Sequence, residues 1–296
     1  MSQYYLQQIV NGLTLGSLYA LVAIGFSMIY GIVRLINFAH GDILMVGAFS
    51  TLAMVLGGVP WPFIVLFVAG LGALAGVTIE AVVFRSMRGA PQVTGFIATL
   101  ALSIIIQNAG IMILSGQPRN FLFPAAMRER IDLGIGTASL IDLAIIGLTL
   151  VIIAGAVTLV HRTKLGIAMR ATAESVTTAQ LMGININRAI ATAFGLGSAL
   201  AAVAGLMWGG KFGQIDPLMG FIPGLKAFVA SVIGGVGSIP GAMAGGYILG
   251  LAEVLFVGLL PPEYSGYRDA FVFSLLIVIL LVRPHGLFGR ADEERA

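Results

Sequence analysis

Cysteine is absent from the chain. Disulfides, thiol nucleophiles and Cys-ligated metals are therefore excluded. Charge is scarce as well: Asp, Glu, Lys and Arg make up 10% of the 296 residues, against about 25% in a typical soluble domain. So little charge excludes a disordered chain, a nucleic-acid binder and an ordinary soluble enzyme. Histidine occurs only at positions 40, 161 and 285. There is no H-E-x-x-H, no G-x-S-x-G and no metal cluster, so nothing calls for a metal, a cofactor or a catalytic nucleophile.

What is present is apolar. Hydrophobic residues make up 58%, the mean hydropathy is +1.00, and there are 40 glycines. The apolar runs are continuous rather than alternating, which excludes an outer-membrane barrel. A helix needs roughly 20 apolar residues to cross the hydrocarbon core. Runs of about that length fall at about 8–30, 38–57, 62–84, 93–115, 140–160, 189–210, 240–260 and 268–283. The expected fold is an all-α, polytopic integral membrane bundle with eight clear spans, forming a single domain over 1–296. A ninth stretch, 218–236, is apolar but interrupted by Gly220, Pro223, Gly224, Gly234 and Gly235, and it carries Lys226. It reads as a broken or half-spanning segment. Met1 to Gln8 carry no charged side chain. The first run is therefore expected to be a membrane helix rather than a cleaved signal, which would open with a basic region.

Basic residues set the orientation. Arg85 and Arg88, then Arg162, Lys164, Arg170 and Arg188, then Arg283, Arg290 and Arg295 mark three cytoplasmic sites. The segments 57–61 and 116–139 are then external. Working back places the N-terminus outside, which needs an odd number of crossings. Either 218–236 supplies the ninth, or the approach to 38–57 is re-entrant and the N-terminus is inside. Pairs of glycines at G-x-x-x-G spacing (Gly12/Gly16, Gly72/Gly76, Gly205/Gly209, Gly241/Gly245, Gly246/Gly250) let helix backbones approach closely, within one bundle or at a dimer seam.

Three stretches carry polar chemistry. Asn37, His40 and Asp42 sit between two apolar runs, where such groups usually have partners or a role. They read either as a loop capping the next helix or as a turn dipping into the transport path, as broken helices do in transporters. The stretch 234–241 holds Gly234, Gly235 and Gly237. It lacks the G-K-[ST] of a phosphate loop and reads as a membrane-embedded break. Its place in the second half of the chain resembles that of 37–42 in the first, a hint of an internal repeat. The third, 170–185, reads as a short cytoplasmic helix: Thr172 as its cap, Glu174 in its first turn, Gly183 ending it in a left-handed conformation. Val176, Ala179 and Met182 share one face, suited to a groove on a soluble partner. Gln107, Asn108 and Glu253 lie inside apolar runs, each a candidate for the path or for an interhelical hydrogen bond.

Gly12–Leu21 and Asn37-Phe38-Ala39-His40-Gly41-Asp42 resemble the opening of the branched-chain amino-acid ABC-transporter permeases of the LivH type. So do Arg162–Gly166, Ala179–Asn185, Lys226–Ala230, Gly234–Gly246 and Arg283–Gly289, and the resemblance covers essentially the whole chain. It implies an inner-membrane transport subunit whose expected partners are a second related permease, two cytoplasmic ATPases and a periplasmic binding protein. It also implies that the loop at about 161–188 couples to an ATPase through Arg170, Glu174, Ala179, Met182, Gly183 and Asn185. Related permeases carry urea or short amides, so branched-chain amino acids and small amides both stand as substrates at this point. Residues alone leave a secondary transporter or a channel as further readings, though Glu253 is nearly alone as a titratable group in mid-membrane.

Overall fold

The computed structural model describes residues 2–121, 123–132 and 137–289. Arg290 and Arg295, two of the basic residues used for orientation, lie outside them. The chain forms α1 (Ser2–Val33), α2 (His40–Leu56), α3 (Trp61–Ile79) with a π-helical extension Glu80–Phe84, α4 (Gln92–Leu114) and α5 (Leu140–Arg162). Then come α6 (Lys164–Glu174), α7 (Val176–Leu181), α8 (Ile186–Phe212), α9 (Phe221–Gly234), α10 (Ile239–Leu259) and α11 (Arg268–Val282). Among the described residues, four short strands form two antiparallel pairs in the connections: β1 (Arg119–Asn120) with β4 (Gln214–Ile215), and β2 (Arg130–Asp132) with β3 (Thr137–Ser139).

Local signals set the ends. Ser139 and Asp142 form a capping box at α5, their side chains exchanging bonds with each other's backbone N–H at 3.4 and 3.3 Å. Ser238 accepts from Gly241 N at 3.1 Å to start α10, with Pro240 in its first turn, where no N–H is needed. Gly213, at φ +71°, ends α8.

Among the described residues, seven helices are long and apolar enough to cross a membrane: α1, α3 with its extension, α4, α5, α8, α10, and α11 with the 3₁₀ turn before it. The run at 38–57 is shorter than it looks, because its helix starts only at His40. At about 1.5 Å per residue, α2 is ~25 Å long and α9 ~21 Å, both short of a full crossing.

The fold repeats itself. A long helix, a short one and two further long ones (α1 to α4) recur as α8 to α11. The two sets interlock: α1 packs against α10 and α3 against α8. The small-residue pairs supply these contacts. A Cβ on Gly12 or Gly16 would strike Leu251 or Tyr247 of α10, and one on Gly246 would strike Ala20. Gly72 and Gly76 abut Ser198 and Ala202 of α8, and Gly205 lies on the Leu44 backbone of α2. The G-x-x-x-G pairs are thus used within one bundle. α1 and α8 are almost wholly enclosed, whereas α4, α5 and α11 mostly face outward.

The crossing number follows from contacts at the two ends. Gln7 Oε1 accepts from Thr137 N at 2.9 Å, and the Tyr4 hydroxyl donates to Gly258 O at 2.7 Å. The start of α1 therefore shares an end with 137–139, and Gly213, which accepts from Phe121 N beside the β1–β4 pair, lines the same cavity as Gln7 and Thr137. Gly31, Gly237 and the tail 286–289 gather at the opposite end with α6 and α7. Arg34, Arg85, Arg88, Arg162, Lys164, Arg170, Arg188 and Arg283 belong to that end, which the positive-inside rule makes cytoplasmic. α9, though short of a full crossing by itself, links the outer segment 214–219 to the cytoplasmic turn 235–238 and supplies the ninth passage of the chain, so α1 starts on the outside.

Candidate functional site

α2 begins inside the bundle. The non-helical segment 34–39 turns back from the end of α1 and brings His40 beside Val22, well short of that end. His40 Nε2 lies 3.2 Å from Val22 O, and its ring stands edge-on to Phe26. Asn37, His40 and Asp42 are each at most 2% exposed. Asn37 does not cap the helix: the N-cap is Ala39, with no side-chain bond. Both polar atoms of the Asn37 side chain are unpartnered, as are Nδ1 of His40 and Oδ2 of Asp42. Asp42 Oδ1 accepts from Gln107 Nε2 of α4 at 2.9 Å, and Gln107 also donates to Ser103 Oγ at 3.0 Å. Asn108, one position on, points away and bonds only to Ile104 O of its own helix. A helix turns about 100° per residue, so the two neighbours cannot both face inward.

The start of α9 meets the start of α2. A Cβ at Gly41 would lie 2.6 Å from Gly220 O and 2.9 Å from Gly224 Cα, so only glycine allows this approach. Asn37, His40, Phe26, Phe38, Phe221 and Phe228 surround a void of only about 10 Å³ there. The equivalence drawn in the sequence between 37–42 and 234–241 is not how the fold pairs them. His40 to Asp42 are already helical, and their counterpart is the approach to α9. Only 235–238 is non-helical in the second stretch. That turn lies at the cytoplasmic end, where Gly237 N donates to Ser27 Oγ at 2.8 Å. Gly235 (φ +103°) packs on Gly289, and Leu287 N and Phe288 N each donate at 2.9 Å to the carbonyls of Ile233 and Gly234.

Glu253 is far from alone. It is 2% exposed on α10 and takes three partners: Tyr19 OH at 2.9 Å, Lys226 Nζ at 2.8 Å and Arg268 Nε at 3.1 Å. Lys226 also pairs with Asp269 Oδ1 at 2.7 Å. This cluster lines a cavity of about 620 Å³ bounded also by the external segment 216–219. A second cavity of about 590 Å³, sharing Asn11, Lys211 and Phe212 with it, continues toward Gln7, Arg130 and Thr137. Lys211 and Asp142 form an ion pair between the two. Sequence reading missed Tyr19, Arg268 and Asp269. The available signal was that Lys226 and Glu253 are each lone charges in apolar runs, and an unpaired buried charge needs an opposite one.

The cytoplasmic segment is two helices, not one. Thr163 caps α6 by accepting from Gly166 N at 3.2 Å, and Ser175 caps α7 by accepting from Thr178 N at 3.2 Å. Thr172 is no cap: it is buried and donates to Ala168 O at 2.7 Å, while Glu174 closes α6 rather than opening a helix. Gly183 does adopt the left-handed conformation, at φ +79°. Gly183 N and Ile184 N donate back to Gln180 O and Ala179 O, closing α7. Asn185 caps α8 by accepting from Arg188 N at 3.1 Å. Val176, Ala179 and Met182 do not form one face. Ala179 is buried against the bundle, while Val176, Leu181 and Met182 project outward beside Arg170, Glu174 and Gly183. Behind them, the fully buried Glu80 holds Arg85 and Arg88, and Arg88 reaches Asn187 at the start of α8.

A bundle of inverted halves, with two short helices meeting head to head, is an architecture of transport proteins. The family model described as "Branched-chain amino acid transport system / permease component" matches residues 8–281. The chain belongs to this permease family. Its relatives agree over nearly the full length. The permease is 40% identical to the high-affinity branched-chain amino acid transport system permease protein BraD of Pseudomonas aeruginosa, over 99% of this chain and 98% of that one. It is 40% identical, with the same coverage, to LivH of Escherichia coli K12, which carries the same description. A probable LivH of Methanocaldococcus jannaschii is 31% identical over 92% of this chain and 89% of its own. No solved structure matches the permease. Its role is transport, as a multi-pass membrane subunit.

Proposed function

We propose that this permease is an inner-membrane subunit of an ATP-driven importer and that it carries branched-chain amino acids. ATP hydrolysis falls to two partner ATPases, a second related permease completes the path, and a periplasmic binding protein delivers the solute. The observation that carries this reading is family membership over residues 8–281 together with the relatives' common description. The cytoplasmic pair α6 and α7 supports it. Its outward Val176, Leu181 and Met182 form a small apolar knob, rimmed by Arg170 and Glu174, of the kind that seats in a groove on a soluble partner. The path itself runs from the outer cavities toward Asn37, His40, Asp42 and Gln107, where the starts of α2 and α9 close it.

Gly183→Val tests the coupling role. Nothing lies within 4 Å of a Cβ at this position, so the cost is conformational rather than steric. A left-handed conformation costs an L-residue ~1–2 kcal/mol, and more for a β-branched side chain. The end of α7 should shift while the membrane bundle stays intact. ATP-driven uptake in membrane vesicles should fall several-fold with the amount of permease in the membrane unchanged. Normal uptake and normal substrate-stimulated ATPase activity would remove α7 from the coupling contact.

A further inference from the structure

The larger outer cavity combines a charged cluster with an apolar lining. The cluster holds two cations and two anions: Lys226, Arg268, Glu253 and Asp269. Most of the remaining lining is apolar, including Leu15, Leu18, Trp208, Met219, Ile222 and Val254, with Asn11, Tyr19, Lys211 and Asp216 as its other polar side chains. Lys226 on α9 and Glu253 on α10 are 2% exposed, whereas the side chains of Arg268 and Asp269 on α11 are 52% and 47% exposed. The buried pair is thus a fixed base that holds Arg268 through Nε and Asp269 through Oδ1, and the half-exposed outer pair has its remaining polar atoms for further contacts. Arg268 Nε and Asp269 Oδ1 stand 3.8 Å apart, too far for a hydrogen bond between them.

A clamp whose only task was to pin α9 to α10 and α11 would not need a second, half-open ion pair facing a cavity. Arginine offers a planar fork that matches a carboxylate, and an aspartate beside it accepts from an ammonium. A molecule with both groups on one carbon and an aliphatic chain behind them satisfies the charged cluster and the apolar lining together. A neutral amide satisfies neither charge.

Resting on the importer reading, we propose that this cavity is a receiving site for a zwitterionic α-amino acid with an aliphatic side chain. Arg268 holds its carboxylate, Asp269 its ammonium, and the apolar lining its side chain. Delivery by a binding protein requires release afterward, so the site is expected to be weak, in the millimolar range.

The experiment uses the full transporter complex in nanodiscs without binding protein. Binding of leucine, leucinamide and 4-methylpentanoate is measured by saturation-transfer NMR at millimolar concentration. Leucine should bind, and each analogue, lacking one charge, should bind at least roughly tenfold more weakly. Arg268→Gln and Asp269→Asn should each weaken leucine by a similar factor, while Arg268→Lys keeps part of it. Equal binding of all three ligands, no leucine binding, or unchanged binding in both variants would overturn the proposal. The analogue series on the unmodified complex stands even where a variant fails to assemble. Uptake by the same complex in proteoliposomes, now supplied with its binding protein, separates the two readings: ATP-driven leucine import alongside no leucine binding in the nanodiscs discards the site and keeps the importer, whereas no leucine import discards the importer reading itself.

Discussion

Replacing Gly41 with Leu is expected to reduce uptake to background. Its hydrogen faces the backbone of Gly220 and Gly224, at distances a Cβ cannot occupy. All three nearest atoms are backbone of the α9 start, so no side chain is present to move aside. Adding even a few methylenes to a tight contact costs ~1–3 kcal/mol where neighbours can shift, and here they can shift only by parting α2 from α9. That parting would displace Asp42 from Gln107, whose 2.9 Å bond joins α2 to α4. The measurement is ATP-driven uptake, normalised to permease in the membrane. Wild-type uptake would show that the two helix starts do not close the path. Asp42→Asn should do far less harm than Asp42→Ala, because the amide oxygen still accepts from Gln107.

The second large effect is on stability. Lys226→Met leaves Glu253 buried with one cation fewer. Removing one member of a buried ion pair costs ~3–5 kcal/mol. The retained Arg268 and Tyr19 contacts to Glu253 put the expected loss at the lower end. The double variant Lys226→Met with Glu253→Leu replaces the buried pair by apolar groups of similar size, and it should regain most of that stability. Thermal unfolding of the purified permease complex in detergent checks this. A double variant as unstable as the single one would mean that the charges themselves, rather than their balance, hold α9 to α10.

How much of this was legible depends on what lipid demands of a sequence. Apolar runs must be helical because no water satisfies the backbone in the membrane core. The run at 140–160 accordingly appears as Leu140–Arg162, and that at 240–260 as Ile239–Leu259. Gly183 was legible because left-handed backbone favours glycine. Depth was not legible. Nothing local tells that 34–39 doubles back and starts α2 beside Val22, since a polar turn at the membrane surface and one inside a bundle share their composition. The break at Ser175 was masked by Thr172, an equally good capping residue on paper, which the fold buries instead. The charge cluster escaped because its members are separated by long stretches of chain: Lys226 meets Glu253 across 27 residues, and Tyr19 meets it across 234. Only the crossed packing of the two halves brings them together.

The central claim is that this chain forms part of a path opened by ATP hydrolysis on other subunits. Its most direct test is leucine uptake into proteoliposomes that hold this permease, its second permease and both ATPases. Binding protein and leucine are supplied on the outer side, with ATP on the side of α6 and α7. Accumulation against a gradient should require ATP and binding protein together, and should vanish when ATP is replaced by a non-hydrolysable analogue. Accumulation driven by an ion gradient without ATP, or equilibration of leucine down its own gradient without ATP, would contradict the account.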